Sequence, residues 1–272
     1  MQTELSSRTR VAMDAAREAG RMLVVARRHG PHPEILRVKG LNDFVTEMDE
    51  RAEDIIVARL REAFPGDVVV AEERGELAGA QGGGRWLVDP LDGTTNFLHG
   101  VPIYAVSIAC EVGGALHCGV VYDPNRDEMF VAQQGCGAYL NGRRISVSGV
   151  ARTADCLLTT GFPYRDFRYL ESYFRLFTHI LPEVHGLRRP GAAALDLCWT
   201  ACGRFDGFCE LGLKPWDVAA GSLIVREAGG KVTDWYGTDD FLDTGNIVAT
   251  NGHIHAWLLG KMAAHFLDRE VL

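Results

Sequence analysis

Four short apolar runs between residues 68 and 122 set the tightest limit on what this chain can fold into. Val68–Ala71, Trp86–Val88, Ala105–Glu111 and Gly119–Tyr122 are rich in β-branched residues and read as buried strands. Two helical patterns precede them. From Leu5 to Arg28, the residues Val11, Ala12, Ala15, Ala16, Ala19, Met22, Leu23 and Ala26 recur at three- and four-residue spacing, and Gly30-Pro31 is the expected stop. From Glu47 to Phe64, Ala52, Ile55, Ile56 and Leu60 repeat the pattern, with Pro65-Gly66 ending it. After a tight turn at Asn141-Gly142 and a polar stretch from Ser146 to Asp155, helices are expected over Leu170–Ile180, Ala192–Ala201 and Val218–Ala228. Asp217 stands at the expected N-cap of the last, and Gly229-Gly230 at its C-terminal end. Strands and helices follow one another without regular βαβ alternation, which favours a layered α+β fold over a doubly wound parallel sheet.

The 272 residues suit one catalytic unit of two closely packed subdomains, approximately 1–145 and 146–272. Thirty-six acidic against 28 basic side chains give a net charge of −8, which disfavours direct nucleic-acid binding or attachment to anionic membranes. The basic clusters are isolated pairs, Arg27-Arg28, Arg143-Arg144 and Arg188-Arg189, read as solvated surface. Seven cysteines without a Cys-x-x-Cys pair point to reduced thiols in the cytoplasm, and Cys198 and Cys202 read as core rather than as metal ligands. The longest apolar stretch, Val101–Cys110, is too short for a membrane span of about 20 residues.

The chemistry is concentrated in Trp86-Leu-Val-Asp89-Pro-Leu91-Asp92-Gly93-Thr94-Thr95-Asn-Phe97. A strand running into a turn places Asp89 and Asp92 at its end, where carboxylates can leave the core and meet. Hard cations such as Mg²⁺ take oxygen ligands of this kind, and the carbonyl of Leu91 is a further candidate. The Gly93-Thr94-Thr95 run opens a helix whose first N–H groups can receive phosphate oxygens. Glu72 and Glu73, after Val68–Ala71, and Asp217, after Lys214-Pro215-Trp216, are acidic points of the same sort. Each also has an ordinary structural reading as turn, solvated carboxylate or cap. Of the nine histidines none forms an H-x-x-x-H pair; His253 and His255 read as surface, and His99 as structural.

Asp89-Pro-Leu-Asp92-Gly-Thr-Thr-Asn-Phe97, together with Trp216-Asp217-Val-Ala-Ala-Gly221 through Glu227-Ala-Gly-Gly230, closely resembles the two signature motifs of the inositol monophosphatase family. Asp43-Phe-Val-Thr46-Glu-Met-Asp49, Ala71-Glu72-Glu73, Gly119–Pro124, Gly137–Gly142 and Gly161-Phe-Pro163 also resemble family segments in the family's order, so the likeness spans nearly the whole chain. The resemblance implies an α-β-α-β-α sandwich, usually a homodimer, and a Mg²⁺-dependent, Li⁺-sensitive phosphatase acting on a small phosphate monoester. It assigns metal binding to Glu72, Asp89, the Leu91 carbonyl, Asp92 and Asp217, with Asp49 at the edge of the cluster. It gives Thr94, paired with Asp49, and Glu72 the catalytic work on water. It gives Gly93 and Thr94 the phosphate, and Asp92, Gly191, Ala192, Ala193, Glu210 and Asp217 the substrate side.

Two departures stand out: Ala71 replaces the usual Gly, and Ala192 stands where relatives often carry Ser or Thr. Inositol monophosphate is the leading substrate, because Thr95 replaces the Lys common in relatives acting on phosphoadenosine nucleotides and in some histidinol-phosphate enzymes. Histidinol-phosphate, fructose-1,6-bisphosphate and 3′-phosphoadenosine phosphate are the alternatives within the class. An accessory role in transcription or ribosome assembly, known for some bacterial relatives, is the alternative outside it.

Overall fold

A computed structural model describes residues 5–29, 35–40, 43–79, 83–163 and 167–266, with backbone only at 29, 35–40 and 43–45. The first half of the chain runs α1 (Ser7–His29), β1 (Ile35–Gly40), β2 (Asp43–Thr46), α2 (Glu47–Ala63), β3 (Val68–Ala71), β4 (Gly75–Leu77), β5 (Arg85–Asp92), α3 (Thr94–His99), β6 (Ala105–Val112), β7 (Ala115–Asp123), β8 (Glu128–Gln133), β9 (Gly137–Leu140) and β10 (Arg143–Ile145). It continues with β11 (Leu157–Thr160), α4 (Leu170–Ile180), β12 (Gly186–Arg188), α5 (Ala193–Ala201), β13 (Gly207–Glu210), α6 (Pro215–Glu227), β14 (Lys231–Thr233), α7 (Phe241–Thr244), β15 (Ile247–Thr250) and α8 (His255–Phe266). The expected stop at Gly30-Pro31 lies outside the described residues.

Two large sheets form, one of eight strands in the order β10-β9-β8-β7-β6-β5-β3-β4 and one of five in the order β12-β11-β13-β15-β14. Helices α1 and α2 cover the outer face of the first sheet. Helices α5 and α6 fill the space between the sheets, and α4 and α8 cover the outer face of the second. This is the expected α-β-α-β-α sandwich. The uninterrupted apolar runs have a direct physical cause: successive side chains of a strand point to opposite faces, and here both faces are buried. Trp86 and Val88 enter the core under α1 and α2, whereas Leu87 between them enters the core shared with α5 and α6. Val120 and Val121 divide in the same way.

Small residues set how closely the layers approach. The buried stripe of α1 is Ala12, Ala15, Ala16, Ala19 and Leu23, and a Cβ on its Gly20 would lie 2.6 Å from the Tyr122 ring. On the opposite face of β7, a Cβ on Gly119 would come within 2.7 Å of the Ala220 carbonyl oxygen of α6. That contact is with backbone, which cannot swing aside.

Helix α2 starts at Thr46, whose hydroxyl accepts from the amides of Met48 and Asp49. The turn between β9 and β10 has Asn141 at φ 49° and Gly142 at φ 76°, the two positive values a tight hairpin requires. Two expectations are corrected. Helix α6 begins at Pro215, so Asp217 is its third residue and Lys214 the N-cap; proline fits the first helical position because its missing N–H would have no partner there. His255 is not on the surface. It is 2 % exposed, clamped between the hydroxyls of Thr233 and Thr250 at 3.0 Å each, and burial pushes its imidazole down to about 4. His253 is exposed, as expected.

Gly119→Ala should lower stability by about 1–3 kcal/mol, because the added methyl meets backbone on α6. Gly149→Ala, where a Cβ meets nothing within 4 Å, should be neutral or slightly stabilising. Urea midpoints of the two variants check this, and a Gly119→Ala protein as stable as the parent would show that the layers can part.

Candidate functional site

β3 and β5 are parallel neighbours with Ala71 opposite Val88, so the residues that follow, Glu72 and Asp89, emerge side by side at the same sheet end. The Glu72 amide continues the pairing by donating to the Val88 carbonyl at 3.1 Å. β5 does not stop at Val88, as the sequence suggested, but continues to Asp92 through an irregularity between Asp89 and Asp92. Pro90, which has no N–H to give a ladder, sits in that irregularity. The Asp89 carboxylate turns back to accept from the Leu91 amide at 2.9 Å.

From the other side, α5 brings the segment around Gly191, Ala192 and Ala193. Its N-cap is Ala192, whose side chain has no acceptor, and the exposed amides of the first turn are received by another part of the chain. Ala193 N donates to Asp92 Oδ1 at 3.2 Å, and Ala194 N to Asp92 Oδ2 at 2.8 Å. The start of α6 is held by the Ser107 hydroxyl, which donates to the Trp216 carbonyl at 3.1 Å. The Lys214 amide donates to Asp217 Oδ2 at 2.7 Å. Glu210 ends β13; its carboxylate lies where a side chain on Gly161 would be, 1.8 Å from that Cβ position, so Gly161 leaves the space Glu210 uses.

One cavity of about 800 Å³ gathers these ends. Its lining includes Glu72, Asp89, Leu91, Asp92 and Asp217, Gly93 and Thr94, and Gly191, Ala192, Ala193 and Glu210, with Arg168 and Tyr169 among the others. Asp49 does not reach the wall. It is buried behind Thr94, whose hydroxyl lies 3.0 Å from Asp49 Oδ1 and 3.1 Å from the Leu91 carbonyl. The other Asp49 oxygen accepts from the Thr46 amide at 2.8 Å and the Thr46 hydroxyl at 2.5 Å. His99 also lines the cavity.

The electrostatics are those of acids crowded together, Asp89 buried and Glu72, Asp92 and Asp217 half-buried. Burial pushes Asp89 well above the ordinary carboxylate range, and the charges of Glu72, Asp92 and Asp217 push it further. Burial raises Asp92 to about 7 against the lowering effect of the Ala194 and Ala193 amides, and raises Asp49 to about 6 against the Thr46 hydrogen bonds. Such a set suits a divalent cation, which would relieve the mutual repulsion, and it is all oxygen, as Mg²⁺ prefers. Among the described residues no three acidic, histidine or cysteine side chains close around one point.

Three features of the site were not found in the sequence. Arg189 is exposed, as read there, but it also lines the cavity together with Phe162, and its guanidinium carbon lies 5.7 Å from the Phe162 ring centre. Asn96 donates through one amide nitrogen to Ile103 O at 2.8 Å, Pro190 O at 3.0 Å and Gly191 O at 3.3 Å, tying α3 to the segment before α5. Asp196, on the first turn of α5, is 1 % exposed and accepts from the Thr159 hydroxyl at 2.6 Å. Asn96 stood within a motif, but nothing in the spacing joins it to a loop 95 residues away.

The Inositol monophosphatase family profile matches residues 4–266. A Pseudomonas aeruginosa protein named Nus factor SuhB is 46% identical over 261 residues, covering 94% of this chain and 95% of its own. An inositol-1-monophosphatase of Mesorhizobium japonicum is 45% identical over 250 residues, covering 92% and 93%. The crystal structure of extragenic suppressor protein suhB from Bartonella henselae matches with a TM-score of 0.91 at 44% identity, covering 94% of this chain and 98% of that one.

The raised carboxylates fix the sign of a pH effect. A folded Asp92 near 7 against an ordinary 3.8 binds a proton that the unfolded chain releases, so its contribution is fully present below the lower value and is lost as pH rises through about 7. In EDTA, the melting temperature should fall between about pH 4 and about pH 7, and Asp92→Asn should flatten that fall. Mg²⁺ should raise the melting temperature more at the higher pH, because it binds the ionised acids. Calorimetry on both proteins checks this; identical slopes and a pH-independent Mg²⁺ effect would contradict the reading of these acids.

Proposed function

The chain belongs to the inositol monophosphatase family, and from that membership we propose that it is a Mg²⁺-dependent phosphatase hydrolysing a small phosphate monoester, with inositol monophosphate as the leading substrate. The observation that carries the reading is one cavity whose lining holds Glu72, Asp89, Asp92 and Asp217 together with Gly93, Thr94 and Glu210. Glu72, Asp89, the Leu91 carbonyl, Asp92 and Asp217 would hold the metal. Mg²⁺, when bound, would neutralise phosphate charge and make water a better nucleophile.

The rest falls to the chain. The amides of Gly93 and Thr94 meet the phosphate oxygens. The Thr94 hydroxyl donates to Asp49 and keeps its lone pairs to accept a hydrogen from the attacking water, which aims the oxygen in line. Glu72 assists on the water's other side. Asp92, fixed on α5, and the Gly191–Ala193 backbone face the leaving alcohol, and Glu210 accepts from its hydroxyls. In this scheme residues 1–145 supply most of the metal and phosphate site, and residues 146–272 supply Glu210 and Asp217.

A soluble cytoplasmic homodimer is part of the proposal, and sedimentation checks the oligomeric state. No helix among the described residues is long and apolar enough to cross a membrane. A second reading, an accessory protein in transcription, draws support from the Pseudomonas relative named Nus factor SuhB. Co-purification with transcription factors that persists in a phosphatase-dead variant would favour it.

Asp92→Asn removes a ligand charge at constant size and should lower turnover by more than about 100-fold at saturating Mg²⁺, with the fold retained by circular dichroism. Activity within about tenfold of the parent would sink the assignment. Glu210→Gln should lower kcat/KM for inositol monophosphate by about one to two orders of magnitude and change p-nitrophenyl phosphate hydrolysis only slightly. A parallel fall for both substrates would assign Glu210 to the metals or the fold instead.

A further inference from the structure

We propose that Glu53, on α2, is a positioning residue that aims Glu72 into the cavity by fixing the peptide that follows it, so that one buried helix face sets both groups assigned to the attacking water. The proposal rests on the phosphatase reading and adds to it a residue that does not line the cavity.

The turn that carries Glu72 has little to hold it within its own sheet. β3 pairs with β4 from Val69 opposite Leu77 to Ala71 opposite Gly75, so Glu72, Glu73 and Arg74 make up the whole connection. β4 is 3 residues long and lies at the edge of the sheet. On the inner side, the Glu72 amide donates to the Val88 carbonyl of β5 at 3.1 Å. On the other side the turn is held by α2: the Glu73 amide donates to Glu53 Oε2 at 2.8 Å. Arg74 folds back on the same helix, with Nε 3.5 Å from Glu53 Oε1 and the guanidinium paired with Asp54. The two amides that flank the Glu72 Cα are therefore tied to different elements. A residue has only two soft backbone dihedrals, so these ties fix the direction in which the Glu72 side chain leaves the chain.

A carboxylate is costly where Glu53 stands. Its exposure is 0 %, and a charged group taken out of water destabilises the fold unless bonds at its new place offset the loss. Burial pushes its carboxyl up, and the Glu73 amide and Arg74 draw it back down. Asp49 and Glu53 are the two buried acids of α2 and lie one turn apart on the same face. Asp49 receives the Thr94 hydroxyl, and Glu53 receives the amide next to Glu72. Thr94 and Glu72 thus take their spacing from a single helical turn.

The plain alternative is that Glu53 only anchors the hairpin to α2, so that its loss lowers stability and nothing else. Glu53→Met keeps the length and removes the acceptor, Glu53→Gln keeps an acceptor oxygen, and Glu53→Asp keeps the charge but withdraws it by a methylene. Mg²⁺ affinity by titration calorimetry and kcat/KM for inositol monophosphate are measured on each, and Glu53→Met is also placed on a Glu72→Gln background. Ile56→Val, on the same buried face, is the control for a weakened helix; it should lower the melting temperature and leave Mg²⁺ affinity unchanged. Glu53→Met should weaken Mg²⁺ binding by about tenfold or more and lower kcat/KM by about 10- to 100-fold, whereas Glu53→Gln should stay within about threefold of the parent in both. On Glu72→Gln the same Glu53→Met change should cost less than about threefold, because the residue it acts through is already lost. Glu53→Asp carries the test if Glu53→Met does not fold, with a loss of Mg²⁺ affinity of about 3- to 10-fold. Unchanged Mg²⁺ affinity in Glu53→Met and Glu53→Asp, a loss in Glu53→Gln as large as in Glu53→Met, or an equal loss on the Glu72→Gln background overturns the proposal and leaves the phosphatase reading in place. A parent that binds Mg²⁺ and loses that binding in Glu53→Met, yet releases no phosphate, overturns the phosphatase reading alone. A parent that neither binds Mg²⁺ nor releases phosphate overturns both.

Discussion

Two hydrogen bonds, from the amides of Ala193 and Ala194 to the carboxylate of Asp92, join the halves of the molecule at the point where its chemistry is expected. They span 101 and 102 residues of sequence and connect the end of a central strand in the large sheet to the helix layer between the sheets. Helix α5 has no acceptor at its own N-cap, so its first amides depend on an acid from elsewhere, and the half-buried Asp92 is held by them beside its neighbours. The rest of the site is arranged about this joint. Glu72 and Asp89 reach it along parallel strands, Asp217 on the first turn of α6, and Arg189 and Gly191 on the segment leading into α5.

The layers make that convergence rigid. Strands buried on both faces have no freedom to slide, and α6 lies so close to β7 that backbone meets Gly119 where a side chain would begin. Asn96 and Ser107 add polar ties whose acceptors are main-chain carbonyls, so they fix backbone directly.

Much of this was legible in the sequence. Uniformly apolar runs told of doubly covered strands, and helical spacing located α1, α2 and α4 to within about two residues, the scale on which helix ends are defined at all. Acids following strands marked the site because a carboxylate leaves a core only at an element's end. What stayed hidden depends on folding back across long distances. Pro215 moved the start of α6 ahead of Asp217, a first-turn preference that the apolar spacing does not register. His255 looked like surface because its two threonine partners, at 233 and 250, are brought to it only by the smaller sheet. Arg188 and Arg189 are exposed as read, but that Arg189 also borders the cavity stayed hidden, because the left-handed backbone of Gly191, which admits its guanidinium, cannot be read from the identity of a glycine.

The division of the cavity wall has a consequence for how such a protein can diversify. The acids occupy strand and helix ends locked by backbone contacts, whereas Phe162, Arg189 and the Gly191 turn lie on segments after β11 and β12 that no strand pairing holds. Exchanges after β11 alter what the wall meets, whereas exchanges at 189 and 191 also reach Asp92, through the charge of Arg189 and through the lead into α5. The two segments of this wall are therefore unequal in what a substitution does to the acids.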